Sequence, residues 1–309
     1  MKKIFFIDGG AGRAICAIPA LEKYIRNNPQ DEISIIIPGW DNLFWGNKLL
    51  QDITFSDATK GIFDLVVKKA DKIFSPEPYR VPGYFNQKLS LAQAFDEEIN
   101  NTDDHSDLSI PKLYVNKVEE KGSLNLIADV KSQFQKSKTV VFQPYGRSAR
   151  LDRNEIIDDS SRGLDSYSYL KLVKKLSSKY NVILFAEQHL YSQEDSYTFK
   201  PQIDLRNWFG IIQNCDYFIG CDSVGQHIAR CFNKPGTVLI GSTFPVNVSY
   251  PDFFNIIEKK EQKKYSPIRI CSLDSHLADR YNDNCMNYSD NEIDSIFKNI
   301  VSDIEKKVK

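Results

Sequence analysis

Residues 215–243, CDYFIGCDSVGQHIARCFNKPGTVLIGST, constrain the fold more than any other stretch of the chain. The run 216–219 ends in Tyr-Phe-Ile and has the length of a short buried strand. Asp222, Ser223 and Gly225 follow, where a strand would hand over to a helix. From 226 to 232, Ile228, Ala229 and Phe232 share one side of a helix. The next strand is 237–240, opening into Gly241-Ser242-Thr243. Amide N–H groups at a helix N-terminus, approached through small residues, form an anion site. A strand end beside such a helix is also where open α/β sheets bind ligands.

The same alternation runs through both halves. In the first, a strand over 3–7 leads through Gly9-Gly10-Ala11-Gly12 into a helix ending near Arg26, and Pro19 starts or bends that helix. Strands are expected at 33–37, 64–67 and 72–74, a helix at 89–99, and a polar acidic loop at 100–107. In the second, a strand over 139–142 precedes a polar segment carrying Arg147, Arg150, Arg153 and Arg162. Asp165 caps a helix in which Tyr169, Leu172, Val173 and Leu176 recur at i, i+3, i+4 and i+7. A strand at 182–185 ends at Glu187, and a short helix covers 208–214. The last helix, 292–308, carries Ile293, Ile296, Phe297, Ile300, Val301 and Ile304 on one face, with Ser289 and Glu292 at capping-box spacing. Strands alternating with helices predict parallel sheets covered by helices.

A chain of 309 residues has room for two domains. Segment 114–122 reads as the approach to a linker, with the boundary at 135–138. This gives an N-terminal domain at 1–137, a C-terminal domain at 138–288, and a terminal helix at 289–309 that can pack back on the first domain. A net charge of −1 provides no global field for nucleic acid or anionic membrane. The apolar run after Lys3 ends at Asp8, too short for a signal peptide, and no window approaches the roughly 18 apolar residues of a membrane span. The six cysteines show neither a C-x-x-C pair nor zinc spacing and read as reduced thiols of a cytoplasmic protein.

Asp222, Ser223, His227, Ala229, Pro235, Gly241, Thr243 and Pro245 stand in an order that resembles the donor-binding core of family 9 glycosyltransferases, the heptosyltransferase-like family. Those enzymes carry Asp-Ser-Gly-x-x-His-x-Ala, then Pro, an apolar strand, and Gly-x-Thr-x-Pro. The family's glycine after the serine is Val224 here, with Gly225 one place later. Near the N-terminus, residues 12–21 resemble Gly-Asp-x-x-x-x-x-Pro-Ala-Leu, with Arg13 in the acidic position. The likeness is strongest from Val140 to Pro251 and cannot be followed through the middle of the first half.

The resemblance implies two Rossmann-like domains facing across a cleft, the B-type glycosyltransferase fold. It implies transfer of a sugar from a nucleotide-diphosphate sugar to an acceptor hydroxyl, on a glycan or envelope glycoconjugate, without a bound metal or other cofactor. It places Gly12, Arg147 or Arg162, Asp222, Ser223, Gly225, His227 and Thr243 around the donor. Arginine suits the diphosphate through bidentate contacts. Glu187 suits a ribose hydroxyl, or is an exposed strand-end carboxylate. Asp222 and Ser223 serve equally as helix caps, His227 as a loop-bonding histidine, and Thr243 as a turn residue. Asp103-Asp104-His105 reads as a solvated loop rather than a metal site.

The reaction needs a general base. Arg13 cannot be one, since a guanidinium stays protonated, although it can hold phosphate or acceptor charge. Asp8, at the end of the first strand, is the nearest carboxylate, either as base or as a partner of loop amides. Two other functions remain open. One is a glycosyltransferase acting on nucleic-acid bases, for which Lys68, Lys69, Lys72 and Arg80 are the basic candidates. The other is a nucleotide-sugar-binding protein without catalysis, favoured by Arg13.

Overall fold

A computed structural model describes residues 1–146, 148–153, 155–158, 160–186, 196–199, 205–259 and 286–308. The chain divides into two compact units, Met1–Asn116 and Lys117–Lys309.

The first unit runs β1 (Lys2–Phe6), α1 (Ala11–Asn27), β2 (Glu32–Ile36), β3 (Thr54–Phe55), α2 (Ile62–Leu65), β4 (Lys72–Phe74), α3 (Pro82–Phe85) and α4 (Leu91–Asn100). Its sheet has the order β3-β2-β1-β4, all parallel. Ile4, Phe5, Ile33 and Ile35 fill its core, with α1 packed against α4. Helix α1 begins at Ala11 and contains Pro19, so the expected start there is not observed. A proline in that place leaves the Ile15 carbonyl without its helical partner. Residues 64–67 were expected as a strand and instead form the end of α2 and the start of a 3₁₀ turn. So short a run does not distinguish strand from helix, and Gly61, at φ +77°, turns the chain into the helix. The acidic loop is exposed at Asp103 and Asp104, as expected, and is tied to the unit at Asp107 and His105. Lys23 Nζ reaches Asp96 at 3.1 Å and Asp107 at 2.6 Å, and His105 Nδ1 lies 2.8 Å from Asp96.

The second unit runs α5 (Lys117–Phe134), β5 (Thr139–Gln143), β6 (Ala149–Asp152), β7 (Glu155–Asp158), α6 (Ser166–Lys179), β8 (Asn181–Phe185), β9 (Tyr197–Phe199), α7 (Arg206–Asn214), β10 (Tyr217–Cys221), α8 (Val224–Cys231), β11 (Gly236–Ile240), α9 (Pro245–Val248), β12 (Asn255–Glu258) and α10 (Asp290–Lys307). The main sheet has the order β12-β11-β10-β5-β8-β9, all parallel. Chain order therefore reverses between β5 and β10, the pattern of a doubly wound nucleotide-binding sheet. Strands β5, β8, β10 and β11 are buried along their whole length, as strands covered on both faces must be. β6 and β7 form an antiparallel hairpin inserted after β5, inside the segment read only as polar and arginine-rich.

The unit boundary lies before α5, not at 135–138. Segment 114–122 is mostly the first turns of a helix that packs on α7. Arg206 forks onto Glu119, Nε to Oε1 at 2.6 Å and the second nitrogen to Oε2 at 2.8 Å. Gly210 permits the close approach, since a Cβ there would lie 2.6 Å from Ser123 Oγ. Helix α10 packs on α6 and β11 in the second unit, where Ile293, Ile296, Ile300 and Ile304 join Leu172, Leu176, Tyr217 and Leu239. Its apolar face is taken up there, and the capping box of Ser289 and Glu292 is formed as expected.

Candidate functional site

The reversal of strand order brings the C-terminal ends of β5 and β10 together. At the end of β10 the chain turns through Asp222 and Ser223 into α8. Asp222 is buried. Its Oδ2 accepts a 3.0 Å bond from Thr243 Oγ1, and its Oδ1 lies 3.4 Å from Gln226 Nε2. Gln226 in turn donates to the Val248 carbonyl at 2.9 Å. The exits of β10 and β11 are thus tied together, and Ser242 Oγ adds a 2.9 Å bond to the Ser161 carbonyl. Through that bond the loop carrying Arg162 joins the site.

Ser223 is extended and precedes α8, but its side chain makes no cap bond to its own helix. Its Oγ accepts from Gln143 Nε2 at 3.0 Å. The Gly225 N–H donates to Gln143 Oε1, also at 3.0 Å. A Cβ on Gly225 would stand 2.3 Å from that oxygen. Gly225 was expected to contact the donor. Its amide is instead committed to Gln143, and its missing side chain makes room for that bond.

His227 lies one turn into α8, buried, with Nδ1 3.0 Å from the Tyr250 hydroxyl and its ring edge-on to Tyr250. Burial, and then the charge of Arg162, hold its pKa down to about 4. The imidazole is therefore neutral at ordinary pH and within electrostatic range of a fixed cation. Arg162 Nε donates to Ser160 Oγ at 3.0 Å, and Ser160 N donates to Asp158 Oδ1 at 2.9 Å. Asp158 also takes the Gly163 N–H at 2.7 Å and Ser148 Oγ at 2.7 Å, which fixes the base of the β6–β7 hairpin. Arg162, Asp222, Ser223, His227 and Thr243 are thus one connected group in the second unit. Arg147 and Glu187 lie outside the described residues.

Asp8, Gly12 and Arg13 lie in the first unit, around the N-terminus of α1. Arg13 is 5% exposed. Its guanidinium sits 3.0 Å from Asp8 and 3.1 Å from Glu77, and donates to the Pro76 carbonyl at 2.9 Å. Tyr79 and Phe95 present their rings to it at 5.0 and 5.5 Å. Gly9, at φ +96°, lets the arginine pass, since a Cβ would meet Arg13 Cδ at 2.9 Å. Arg13 was expected to act in catalysis or hold substrate charge. It is instead an internal brace, its two terminal nitrogens held by protein groups and its buried Nε without a hydrogen-bond partner among the described residues. Asp8 is the open end of this cluster, with 41% of its side chain exposed.

Gln143, Tyr250, Asp158, Ser160 and Glu77 were not singled out in the sequence. Glu77 lies 64 positions from Arg13, and Gln143 lies 80 and 82 from Ser223 and Gly225. No local motif marks such pairs. The one available signal was the expectation of a ligand site at strand ends, since Gln143 is the last residue of β5.

No family model matches the chain, and no curated protein is matched. Solved structures share its fold over almost its whole length. The ADP-heptose LPS heptosyltransferase II of E. coli is 14% identical, with a TM-score of 0.64 over 98% of this chain and 99% of that one. A family 9 glycosyl transferase of Veillonella parvula is 10% identical, with a TM-score of 0.61 over 99% and 97%. The dodecameric iron-containing heptosyltransferase TibC, solved with ADP-D-beta-D-heptose, is 11% identical, with a TM-score of 0.59 over 100% of this chain and 76% of that one. The chain therefore has the B-type glycosyltransferase fold, two α/β units built on parallel sheets. Among the described residues, no three His, Cys, Asp or Glu side chains are grouped to hold a metal ion. No helix among them is long and apolar enough to cross a membrane.

Proposed function

We propose that this protein is a family 9 type glycosyltransferase that moves a sugar from a nucleotide-diphosphate sugar to a hydroxyl of a glycan or envelope glycoconjugate. The observation that carries the reading is the connected group Arg162, Asp222, Ser223, His227 and Thr243, lying where the strand order of the second unit reverses. Doubly wound sheets bind nucleotides at that point. The likeness in fold to an ADP-heptose heptosyltransferase and to TibC with its ADP-heptose supports an ADP-sugar as donor.

In this reading the bond from the anomeric carbon to the diphosphate breaks as the acceptor oxygen bonds to that carbon. The nucleoside diphosphate departs with the electron pair. Its growing charge is met by Arg162 and the N-terminus of α8, positioned before the reaction begins. With the Tyr250 hydroxyl donating to Nδ1, neutral His227 carries its proton on Nε2 and donates from there. Asp222, oriented by Thr243, accepts from a sugar hydroxyl. The acceptor proton passes to Asp8, whose carboxylate Arg13 holds in place. No step is assigned to a metal. A cytoplasmic location belongs to the same reading and agrees with the buried, reduced thiols of Cys215 and Cys221.

Calorimetric titration of the full chain with ADP, UDP and GDP tests the reading, followed by transfer or hydrolysis of the matching ADP-, UDP- or GDP-sugar. Binding of one nucleoside diphosphate, unchanged by EDTA, and release of that nucleotide from its sugar are expected. Absence of binding to all three would remove the donor site.

A further inference from the structure

We propose that Gln143 is a positioning residue for the donor diphosphate, capping helix α8 from the neighbouring strand so that Ser223 can turn its hydroxyl proton to the phosphate. The inference rests on the donor site proposed above. Gln143 is 2% exposed, so it does not meet the ligand itself. Both ends of its carboxamide are used: Nε2 donates to Ser223 Oγ and Oε1 accepts from Gly225 N, each at 3.0 Å.

A serine at a helix N-cap ordinarily accepts a bond from an amide of the first turn. Ser223 occupies that place without doing so. The Gly225 amide that it would cap is held by Gln143 instead. A hydroxyl offers one proton and two lone pairs. With Gln143 donating into one lone pair, the Ser223 proton cannot point at the carboxamide nitrogen and is left to donate elsewhere. One helix-terminal amide is withdrawn from ligand binding, and a serine hydroxyl is put in its place. Two glycines keep the clearance this needs. A Cβ on Gly225 would lie 2.3 Å from Gln143 Oε1, and one on Gly146 would lie 3.0 Å from Ser223 Oγ.

The test compares affinities of the full-length protein for ADP against adenosine, UDP against uridine and GDP against guanosine, taking the pair that binds. The ratio within that pair isolates recognition of the diphosphate. Gln143→Met removes both carboxamide bonds at nearly constant volume. It should lower the ratio about tenfold, the effect of losing one hydrogen bond to a charged group, while nucleoside affinity stays within about twofold. Gln143→Glu keeps an acceptor for the Gly225 amide but cannot donate to Ser223, whose proton then turns inward. Its loss should be at least as large, and it serves where the methionine variant fails to fold. Ser223→Ala should lower the ratio too, and combining it with Gln143→Met should add little, because the two act as one unit.

A melting temperature lowered in both Gln143 variants with an unchanged ratio would make Gln143 merely structural and overturn the proposal. If the wild type prefers the diphosphate and only Ser223→Ala loses that preference, the role of Gln143 falls alone. If the wild type shows no such preference, the donor reading falls with it.

Discussion

His227 is kept neutral by burial and by the charge of Arg162, and this fixes the sign of its effect on stability. Its folded pKa, about 4, lies below the ordinary 6.5. Above pH 6.5 neither state is protonated and the residue contributes nothing. Between pH 6.5 and 4 the unfolded chain takes up a proton that the folded chain refuses, so stability falls as pH falls. The full difference is about 3 kcal/mol, reached near pH 4. Urea unfolding of His227→Gln should show a shallower loss between pH 7 and 4.5 than the wild type; parallel pH profiles would refute the buried neutral imidazole. At the ligand, Arg162→Ala and His227→Ala should each weaken nucleoside diphosphate binding by about 1–3 kcal/mol, read by calorimetry. Asp8 is the base of the proposed reaction. Asp8→Asn should abolish sugar transfer while leaving donor affinity and melting temperature near wild type. Retained transfer would take the base away from Asp8.

At the scale of elements, the contact between α5 and α7 decides more than its modest apolar content suggests. Only Ser123, Ile127 and Val130 of α5 are buried, while Val118 and Leu124 are exposed. The helix is held by the Arg206–Glu119 fork, by Asn214 Nδ2 donating to Ser123 Oγ at 3.0 Å, and by the bare face of Gly210. Arg206→Ala leaves Glu119 without its cation in a largely buried place and should cost about 3 kcal/mol in denaturant unfolding. Gly210→Ala drives a methyl into Ser123 Oγ and the Glu119 carbonyl, at 2.6 and 2.9 Å, and should cost about 1–3 kcal/mol. Wild-type stability in both would mean that α5 is not integral to the second unit. The narrow buried stripe also explains why α5 was not read as a helix from its sequence. Helix α10, with four isoleucines on one face and a capping box, was plain.

The whole molecule is two units, and their boundary makes a prediction of its own. A fragment spanning 117–309 keeps α5 on α7 and retains the connected group around Asp222. It should fold cooperatively and bind the same nucleoside diphosphate as the full chain, with a melting temperature that rises with ligand concentration. A fragment spanning 138–309, cut where the sequence suggested, strips Glu119 from Arg206 and should melt lower or aggregate. Equal stability of the two fragments would move the boundary back to 135–138.

The sequence by itself determined the class of fold, because strands buried on both faces are written as continuous apolar runs such as TVVF and VLI, and amphipathic helices recur between them. It also marked Asp222, Ser223, His227 and Thr243, since that turn is local and its residues stay within one strand–helix–strand unit. Tertiary structure alone decided what those residues do to one another. Arg13 looked like a charge offered to substrate and is a brace, because Glu77, Tyr79 and Phe95 close around it from other elements. Gly225 looked like a ligand contact and is clearance for Gln143, a residue brought to it only by the pairing of β5 with β10. Spacing records what lies within a few residues along the chain; sheet order, set by burial of whole strands, decides which distant side chains complete the site.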